Sequence, residues 1–381
     1  RSSLLLGFVA CGGSANPPPA ADDDGEPAVA ADDDDEVGPR DDADVRGGAG
    51  GPPQPRVDAG SQVDVVDAMS DAPPANDAGV EVGRAPDPMG EPPPVPGARP
   101  LFFGGGGGAR YGSSADGKTW RQFGSGAGGE APDLVRGVGY GDGVFVAVGG
   151  AFGNGYIIRS TDGVTFTRPQ FSSGWLGDVA YTTRVWVAAG GNGARVRSTD
   201  GGLTWSRVGG FENGHFRRIV AGGGRFIAIG HNGGGQGMLA TSADGMAWSP
   251  VRQVGGSEWR GGAFVGGVFV LASRTDCLVT SDGATFVPCG VAGSDRGVFA
   301  LGGAFVIFRA GSFDVSVDGK AWVKTNATGV PGGWEDRGVA FGNGAYVGLA
   351  GGQRFVGATL AMLERGPAPG YGDLVFGWVL P

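Results

Sequence analysis

The side chains of this chain that could do chemistry are arginines and tryptophans that recur after residue 130. We take them as candidate ligand-binding residues: Arg136, Arg218, Arg260, Arg296, Arg337, Trp175, Trp259 and Trp334. Arginine can hold a carboxylate in a bidentate manner, and tryptophan can stack on a sugar or anchor a protein partner. The alternative is structural, because acids such as Glu258 and Asp295 lie close enough in sequence to pair with the arginines. In that case the tryptophans would only cover the surface.

Residue patterns typical of enzymes are weak. The chain has two histidines, His215 and His231, and no zinc-protease, paired-cysteine, P-loop or serine-hydrolase motif. A glycosidase needs two carboxylates at a defined separation across a cleft, and the sequence does not identify such a pair. The aspartate runs 22–24 and 32–35 lack the spacing of a calcium loop. We therefore predict no catalytic residue, no cofactor and no metal, and the enzyme question stays open.

A short motif built on Asp-Gly occurs six times and must determine how these side chains are positioned. The aspartates stand 46, 38, 44, 38 and 36 residues apart, and they are Asp116, Asp162, Asp200, Asp244, Asp282 and Asp318. Each has a Ser or Thr two residues earlier and a Trp or Phe shortly after. Asp-Gly between β-forming runs is a strong hairpin signal, with the carboxylate accepting backbone N–H groups one or two residues on. A period near 40 residues is typical of a solenoid or propeller.

The motif resembles the Asp-box, or BNR repeat, of sialidase-like β-propellers. The segment from Ser198 to Trp205 has the full eight-residue form, and the other five copies are one residue shorter. The resemblance covers roughly residues 100–381 and implies a propeller with structural aspartates. It does not imply one activity, because the family includes glycosidases, assembly factors and receptors. The sialidase arginine triad, Tyr–Glu pair and acid Asp are not recognisable in this sequence.

Between these motifs, apolar runs of four to six residues alternate with glycine-rich turns, and the chain has 81 glycines. Such runs predict an all-β fold, and four strands per repeat predict the blades of a propeller. The first repeat lacks one strand, which the run Asp373–Val379 is predicted to supply, and the last repeat has lost its Asp-Gly motif. We expect seven blades over residues 98–381, with six as the alternative.

The first hundred residues have a different composition. Residues 12–99 contain 20 acids and five arginines, a net charge of −15. Such a segment buries too little apolar surface to offset chain entropy, so residues 12–97 are predicted to be a disordered acidic linker. Residues 1–11 read as a secretory signal whose Val-Ala-Cys ending resembles a bacterial lipobox, with Cys11 as the lipidated residue. An ordinary signal peptide is the alternative.

The two remaining cysteines suggest a disulfide. Cys277 and Cys289 lie six residues either side of Gly283, so an antiparallel hairpin turning there would bring them face to face. A disulfide would fit an oxidising compartment, and two buried thiols are the alternative.

These observations favour an exported protein that acts as a binding or scaffolding module at the cell surface. We predict a lipid-anchored, monomeric, non-catalytic propeller at the bacterial outer membrane or cell surface that binds a protein or glycan. A periplasmic or secreted location is the alternative, as is a degenerate sialidase-like glycoside hydrolase. Residues 100–381 carry 23 basic and 19 acidic residues, too weak and dispersed a charge to predict nucleic-acid binding.

Overall fold

Apolar runs and glycine turns form β-strands throughout the part of the chain that the structure describes. The computed structural model describes residues 96–107, 110–123, 134–151, 154–167, 174–209, 212–327, 338–350 and 352–380. The strands form seven antiparallel sheets, which are the blades of a β-propeller. The predicted fold class and the count of seven blades are confirmed.

The first four blades follow one another along the chain. Blade 1 begins with β1 (Arg99–Gly106), β2 (Arg110–Ser114) and β3 (Arg121–Gln122). Blade 2 contains β4 (Val135–Gly141), β5 (Val144–Ala151) and β6 (Asn154–Ser160), and a bridge between Arg159 and Thr167 marks the place of a fourth strand. Blade 3 contains β7 (Leu176–Thr182), β8 (Val185–Gly190), a 3-10 turn (Gly191–Gly193), β9 (Arg195–Ser198) and β10 (Ser206–Arg207). Blade 4 contains β11 (Gly214–Gly222), β12 (Arg225–Asn232), β13 (Gly237–Ser242) and β14 (Arg252–Gln253).

The last three blades repeat the same antiparallel order. Blade 5 contains β15 (Trp259–Val265), β16 (Val268–Ser273), β17 (Cys277–Thr280) and β18 (Val287–Pro288). Blade 6 contains β19 (Phe299–Leu301), β20 (Ala304–Arg309), β21 (Ser312–Ser316) and β22 (Val323–Asn326). Blade 7 contains β23 (Val339–Gly342), β24 (Ala345–Ala350), β25 (Gln353–Thr359) and β26 (Met362–Pro367). The chain then ends with β27 (Asp373–Val379).

The C-terminal strand β27 closes the ring. It pairs with β1 from Arg99 opposite Val379 to Gly105 opposite Asp373, and so becomes the innermost strand of blade 1. It also lies against β23 of blade 7 and β4 of blade 2. The missing strand of the first repeat is thus supplied by the end of the chain, as the sequence predicts.

Seven hydrophobic clusters form the core, and each lies between two neighbouring blades. Trp186, for example, packs with Val146 of blade 2 and Leu176 of its own blade, and is fully buried. A blade is covered on both faces, so its central strands are apolar on both sides, as in Val-Trp-Val-Ala of β8. Burying each large side chain contributes about 1.5–3 kcal/mol, which holds the blades together without a central core.

The six Asp-Gly motifs form the turns between the third and fourth strand of blades 1 to 6, and we call them the Asp-Gly turns. In each, the Ser or Thr hydroxyl donates to the aspartate at 2.7–3.1 Å. The aspartate accepts N–H groups two and three residues on, as Asp162 does from Val164 and Thr165. In the longer turn, Asp200 accepts from three and four residues on. The predicted clamp is therefore present, with its donors one residue further along than expected.

The glycine of the turn is needed for two reasons. Gly163 has a φ of 68°, in the left-handed region that favours glycine. A Cβ there would also lie 2.1 Å from Leu101 Cδ2 of the preceding blade. The closing aromatic residues pack into the clusters between blades, as Trp205 does between blades 2 and 3. Each turn therefore fixes both its own hairpin and the contact with the blade before it.

Cys277 and Cys289 form a disulfide with a Cα–Cα distance of 5.5 Å. They join the ends of β17 and the strand that returns from the Asp-Gly turn of blade 5, at the far end of this hairpin from the turn.

Several sequence predictions lie outside the described residues. They are the signal segment 1–11 with Cys11, all but the end of the linker 12–97, and the candidate residues Trp334 and Arg337. These stay predictions. No helix within the described ranges is long and apolar enough to cross a membrane.

Candidate functional site

Alternation of strand direction puts the Asp-Gly turns on one face of the propeller and the connections between blades on the other. On that second face, around the axis, a cavity of about 600 Å³ opens, which we call the funnel. Its walls come from blades 1 to 5 and blade 7. The side chains that give it its chemistry are Arg136, Trp175, Arg217, Arg218, Glu258 and Arg260.

The funnel arginines are placed by β-bulges in the innermost strands. The pairing register shifts by one residue at the start of β4, β7, β11 and β15. The residues at these shifts are Arg136, Gly177, Arg217 and Arg260. A bulge leaves one residue unpaired and redirects its side chain. Three equivalent positions on three blades therefore each place an arginine at the funnel.

Trp175 links the arginines of two blades. The guanidinium of Arg136 lies 4.8 Å from the centre of its ring, and that of Arg217 lies 5.8 Å away. Cation–π contacts of this kind contribute on the order of 1 kcal/mol and orient the guanidinium. Burial lowers the pKa of Arg136, and the positive charge of Arg217 lowers it further. Positive charge is thus concentrated here at some electrostatic cost.

Glu258 lies between two of the arginines and connects blade 4 with blade 5. Its Oε1 accepts from Arg217 Nε at 2.8 Å, and its Oε2 is 3.0 Å from Arg260 Nη2. His231 Nε2 lies 3.6 Å from Oε1. With its side chain 17% exposed, Glu258 is surrounded by donors on both oxygens. The structural alternative considered from sequence, Arg–acid pairing between blades, is therefore correct for this part of the funnel.

The two histidines pack beside this cluster. His215 and His231 face one another across β11 and β12, with ring centres 5.3 Å apart. The His215 ring is also 5.3 Å from that of Trp175, and its Nδ1 accepts from Asn192 N at 3.2 Å. Burial lowers the pKa of His215, and His231 and Arg217 lower it further. His215 therefore packs behind Trp175 with its charged form disfavoured.

Two buried aspartates have a structural role, because their carboxylates bind backbone N–H groups. Asp373 lines the funnel, but its oxygens accept from Val138 N at 2.8 Å and Leu374 N at 3.0 Å. Asp178, fully buried, accepts in the same way from Ile219 N at 2.8 Å and Val179 N at 2.7 Å. Each carboxylate joins its own innermost strand to that of the next blade. They hold the ring together at its narrowest radius.

The structure brings some of the predicted residues together and not others. Arg136, Trp175, Arg218 and Arg260 line the funnel. Arg218 is 8% exposed and donates to the Arg217 carbonyl, so it forms part of the wall. Arg296 lies in the turn before β19 and is not a funnel residue.

Trp259 corrects the sequence prediction. It is fully buried in the cluster between blades 4 and 5, and its Nε1 donates to Val254 O at 2.7 Å. The residue before a bulge points into the core while the bulged residue points to the funnel. Trp259 is therefore a core residue, and replacing it would test stability rather than ligand capture.

Two residues that line the funnel were not among the sequence candidates: Arg217 and Glu258. The doublet Arg217-Arg218 carried the signal for the first, but choosing between neighbours requires the position of the bulge. No group of three or more His, Cys, Asp or Glu residues in the described chain could hold a metal ion.

The comparisons with known proteins gave matches among solved structures alone. No family model and no curated protein matches the chain. Among solved structures, it is similar to "YCF48 bound to D1 peptide", with 15% identity and a TM-score of 0.45, covering 70% of this chain and 87% of that one. It is similar to the WD40 propeller domain of Doa1, with 14% identity and a TM-score of 0.46, covering 66% and 91%. It is also similar to PorZ, a surface component of the type-IX secretion system of Porphyromonas gingivalis. There the identity is 11% and the TM-score 0.43, and the match covers 61% of this chain and 33% of that one.

Proposed function

We propose that this protein is a non-catalytic binding propeller that captures a protein or glycan ligand at the funnel. The observation that supports this best is the convergence of Arg136, Arg217 and Arg260 from three different blades on one cavity. Charged groups cost stability when they are gathered and partly desolvated, and such gatherings are a feature of functional sites. Only one partly exposed acid, Glu258, offsets them among the described lining residues.

The same cavity gives little support to the alternative of a degenerate glycoside hydrolase. Hydrolysis of a glycoside needs two carboxylates facing the bound sugar. The acids among the described lining residues are Glu258 and Asp373. Glu258 is held by two arginines, and Asp373 is buried and occupied by two backbone N–H groups. Both carboxylates are therefore already engaged by donors of the protein itself.

We further propose that the chain is exported and held at the bacterial outer membrane or cell surface by a lipid on Cys11. The signal-like segment 1–11 supports this from sequence, and the disulfide between Cys277 and Cys289 fits an oxidising compartment. The acidic segment that follows Cys11 would then space the propeller from the membrane. We also propose kinship with the Asp-box propellers, supported by the shared hydrogen bonds of the six Asp-Gly turns.

Ligand capture is tested in two ways. The labelled full chain is applied to a glycan array, and the immobilised full chain is incubated with lysate and cross-linked to what it binds. The funnel variant Arg217→Gln should lose the captured ligand. The matched control is Arg225→Gln, because Arg225 is exposed on the face of the Asp-Gly turns. Equal capture by both variants would contradict the proposal.

Anchoring is tested separately by labelling cells with an alkyne-tagged fatty acid. The wild-type chain should take up the label, and Cys11→Ser should not. Label retained in the Cys11→Ser variant would contradict the anchor.

A further inference from the structure

We infer that the funnel binds an acidic peptide segment, one of whose carboxylates is held by Arg136 and Arg217 beside Trp175. This rests on the proposed function and narrows its ligand from a protein or glycan to one chemical class.

Arg136 is the funnel arginine best placed to form an ion pair with a ligand. Its Nε donates to Gly150 O at 3.0 Å, and within the described chain it forms no ion pair. It is half-buried, and both burial and the neighbouring Arg217 disfavour its charge. An anion placed at its two Nη groups would remove that penalty and form charge-assisted hydrogen bonds. The charge and burial of Arg136 therefore favour binding of a negative group at this point.

Arg217 can share the same anion. It uses Nε for Glu258 and its side chain is exposed, so a ligand can reach the guanidinium. Glu258 and Trp175 together restrict where this guanidinium lies. Orienting an arginine in advance lowers the entropy lost when it binds a carboxylate. Two arginines from blades 2 and 4 therefore present donors around one ring.

The surroundings of Trp175 favour a carboxylate over a sugar stacked on the ring. Two guanidinium groups lie over the indole, and the His215 ring packs against it. A Cβ on Gly191 would lie 2.5 Å from Trp175 Nε1, so the indole also lies against the backbone there. A sugar could stack only on an open face of the indole. Here the two guanidinium groups lie over the ring, which is the arrangement expected if Trp175 orients the arginines. Trp175 is therefore a positioning residue for the two arginines.

The shape of the funnel suits a peptide segment. A volume of about 600 Å³ is within the range of sites that enclose small ligands, about 300–1,000 Å³. The lining glycines Gly107, Gly352 and Gly370 are exposed, so the main chain of a ligand can approach the backbone of the wall. A single acidic side chain or terminal carboxylate with its neighbouring residues fits this space better than a broad protein surface.

The test measures binding of fluorescein-labelled tetraglutamate to the full chain by fluorescence polarisation at 150 mM salt. Tetraglutamine of the same length is the neutral control. We expect tetraglutamate to bind at least about tenfold more tightly, since a charge-assisted contact of roughly 1.4 kcal/mol corresponds to a factor of ten. Equal binding of the two peptides, or no binding of tetraglutamate, would overturn the inference.

Variants locate the carboxylate. Arg136→Gln should weaken tetraglutamate binding about tenfold, Arg136→Lys less, and Arg225→Gln less than twofold. A melting temperature matching wild type confirms that Arg136→Gln is folded. An equal loss in Arg225→Gln, or no loss in Arg136→Gln, would overturn the inference.

Two oligosaccharide arms separate this inference from the proposed function. The two probes are a neutral oligosaccharide and a heparin-derived one. If either binds more tightly than tetraglutamate, and this binding is lost in Arg217→Gln, the acidic-peptide inference is overturned but the proposal that the funnel binds a ligand stands. If the capture experiment also shows no dependence on Arg217, both proposals fail.

Discussion

The two faces of the propeller are held by contacts of different range. On one face, the hydrogen bonds that the aspartate of each Asp-Gly turn accepts join residues two to four positions apart, as between Ser160, Asp162 and Val164. The backbone of some turns also accepts from the neighbouring blade, as Gly201 O does from Arg159 Nε at 2.6 Å. On the other, Arg136, Trp175, Arg217 and Glu258 come from four successive blades, and each contact spans about 40 residues. The first face repeats one local solution six times. The second occurs once, and its residues come into contact only when neighbouring blades pack against each other.

This difference explains where specificity can arise in such a fold. A repeated turn must be the same in each blade because it performs the same structural task. Residues around the axis meet partners from other blades, so each blade can contribute a different side chain at an equivalent bulge. Blades 2, 4 and 5 contribute arginine there, and blade 3 contributes Gly177. The funnel is therefore asymmetric although the scaffold is nearly symmetric.

The largest expected effect comes from breaking a contact between blades near the axis. Asp178→Ala removes the acceptor for two buried N–H groups, those of Val179 and Ile219. A buried donor left without a partner costs about 1–3 kcal/mol, so we expect a loss of about 3 kcal/mol in the free energy of unfolding, measured in urea. The control is Asp295→Ala, which removes an exposed ion pair with Arg274 and should cost about 0–1 kcal/mol. Similar values for both variants would show that the hydrogen bonds of Asp178 do not hold neighbouring blades together.

A smaller effect is expected from breaking one Asp-Gly turn. Asp200→Ala removes the acceptor for Leu203 N and for both donors of Thr204. Because the turn is exposed, water replaces part of these bonds, and we expect a loss of about 1 kcal/mol. Asp200→Asn keeps one acceptor oxygen and should lose less. A loss as large as that of Asp178→Ala would show that these turns are not independent local units.

The smallest effect should appear as a dependence on pH. Burial raises the pKa of Asp162 and of Asp200, but hydrogen bonds outweigh it and lower both to about 2, from an ordinary value of 3.8. The donors are the backbone N–H groups of Thr165 and Val164 to Asp162, and the hydroxyl and N–H of Thr204 to Asp200. A carboxylate with a lowered pKa in the folded state stabilises above the unfolded value, and this is lost as pH falls through the folded value. The melting temperature should therefore fall between about pH 4 and pH 2.

The control for this effect is the double variant Asp162→Asn/Asp200→Asn. It should lose less stability over the same pH interval than the wild type, because two of the titrating groups are gone. A pH profile identical to that of the wild type would show that other groups cause the acid dependence.

Sequence reasoning succeeded where the information is local. The Asp-Gly turns, the blade count and the return of Asp373–Val379 to the first blade followed from repeated patterns of a few residues. It also found Arg136 and Arg260, because arginine recurs before the innermost strands. It chose Arg218 where the structure makes Arg217 the equivalent residue, since one position of register decides which neighbour faces the funnel.

The tryptophans show the same limit. Trp175 lies just before β7 and Trp259 is the first residue of β15. The first supports the funnel arginines, and the second is buried between blades. Sequence determined the propeller, because turn chemistry and strand patterning are properties of short segments. Only the tertiary structure decided the site, because the bulges set the direction of each side chain and the closing of the ring determined which side chains meet.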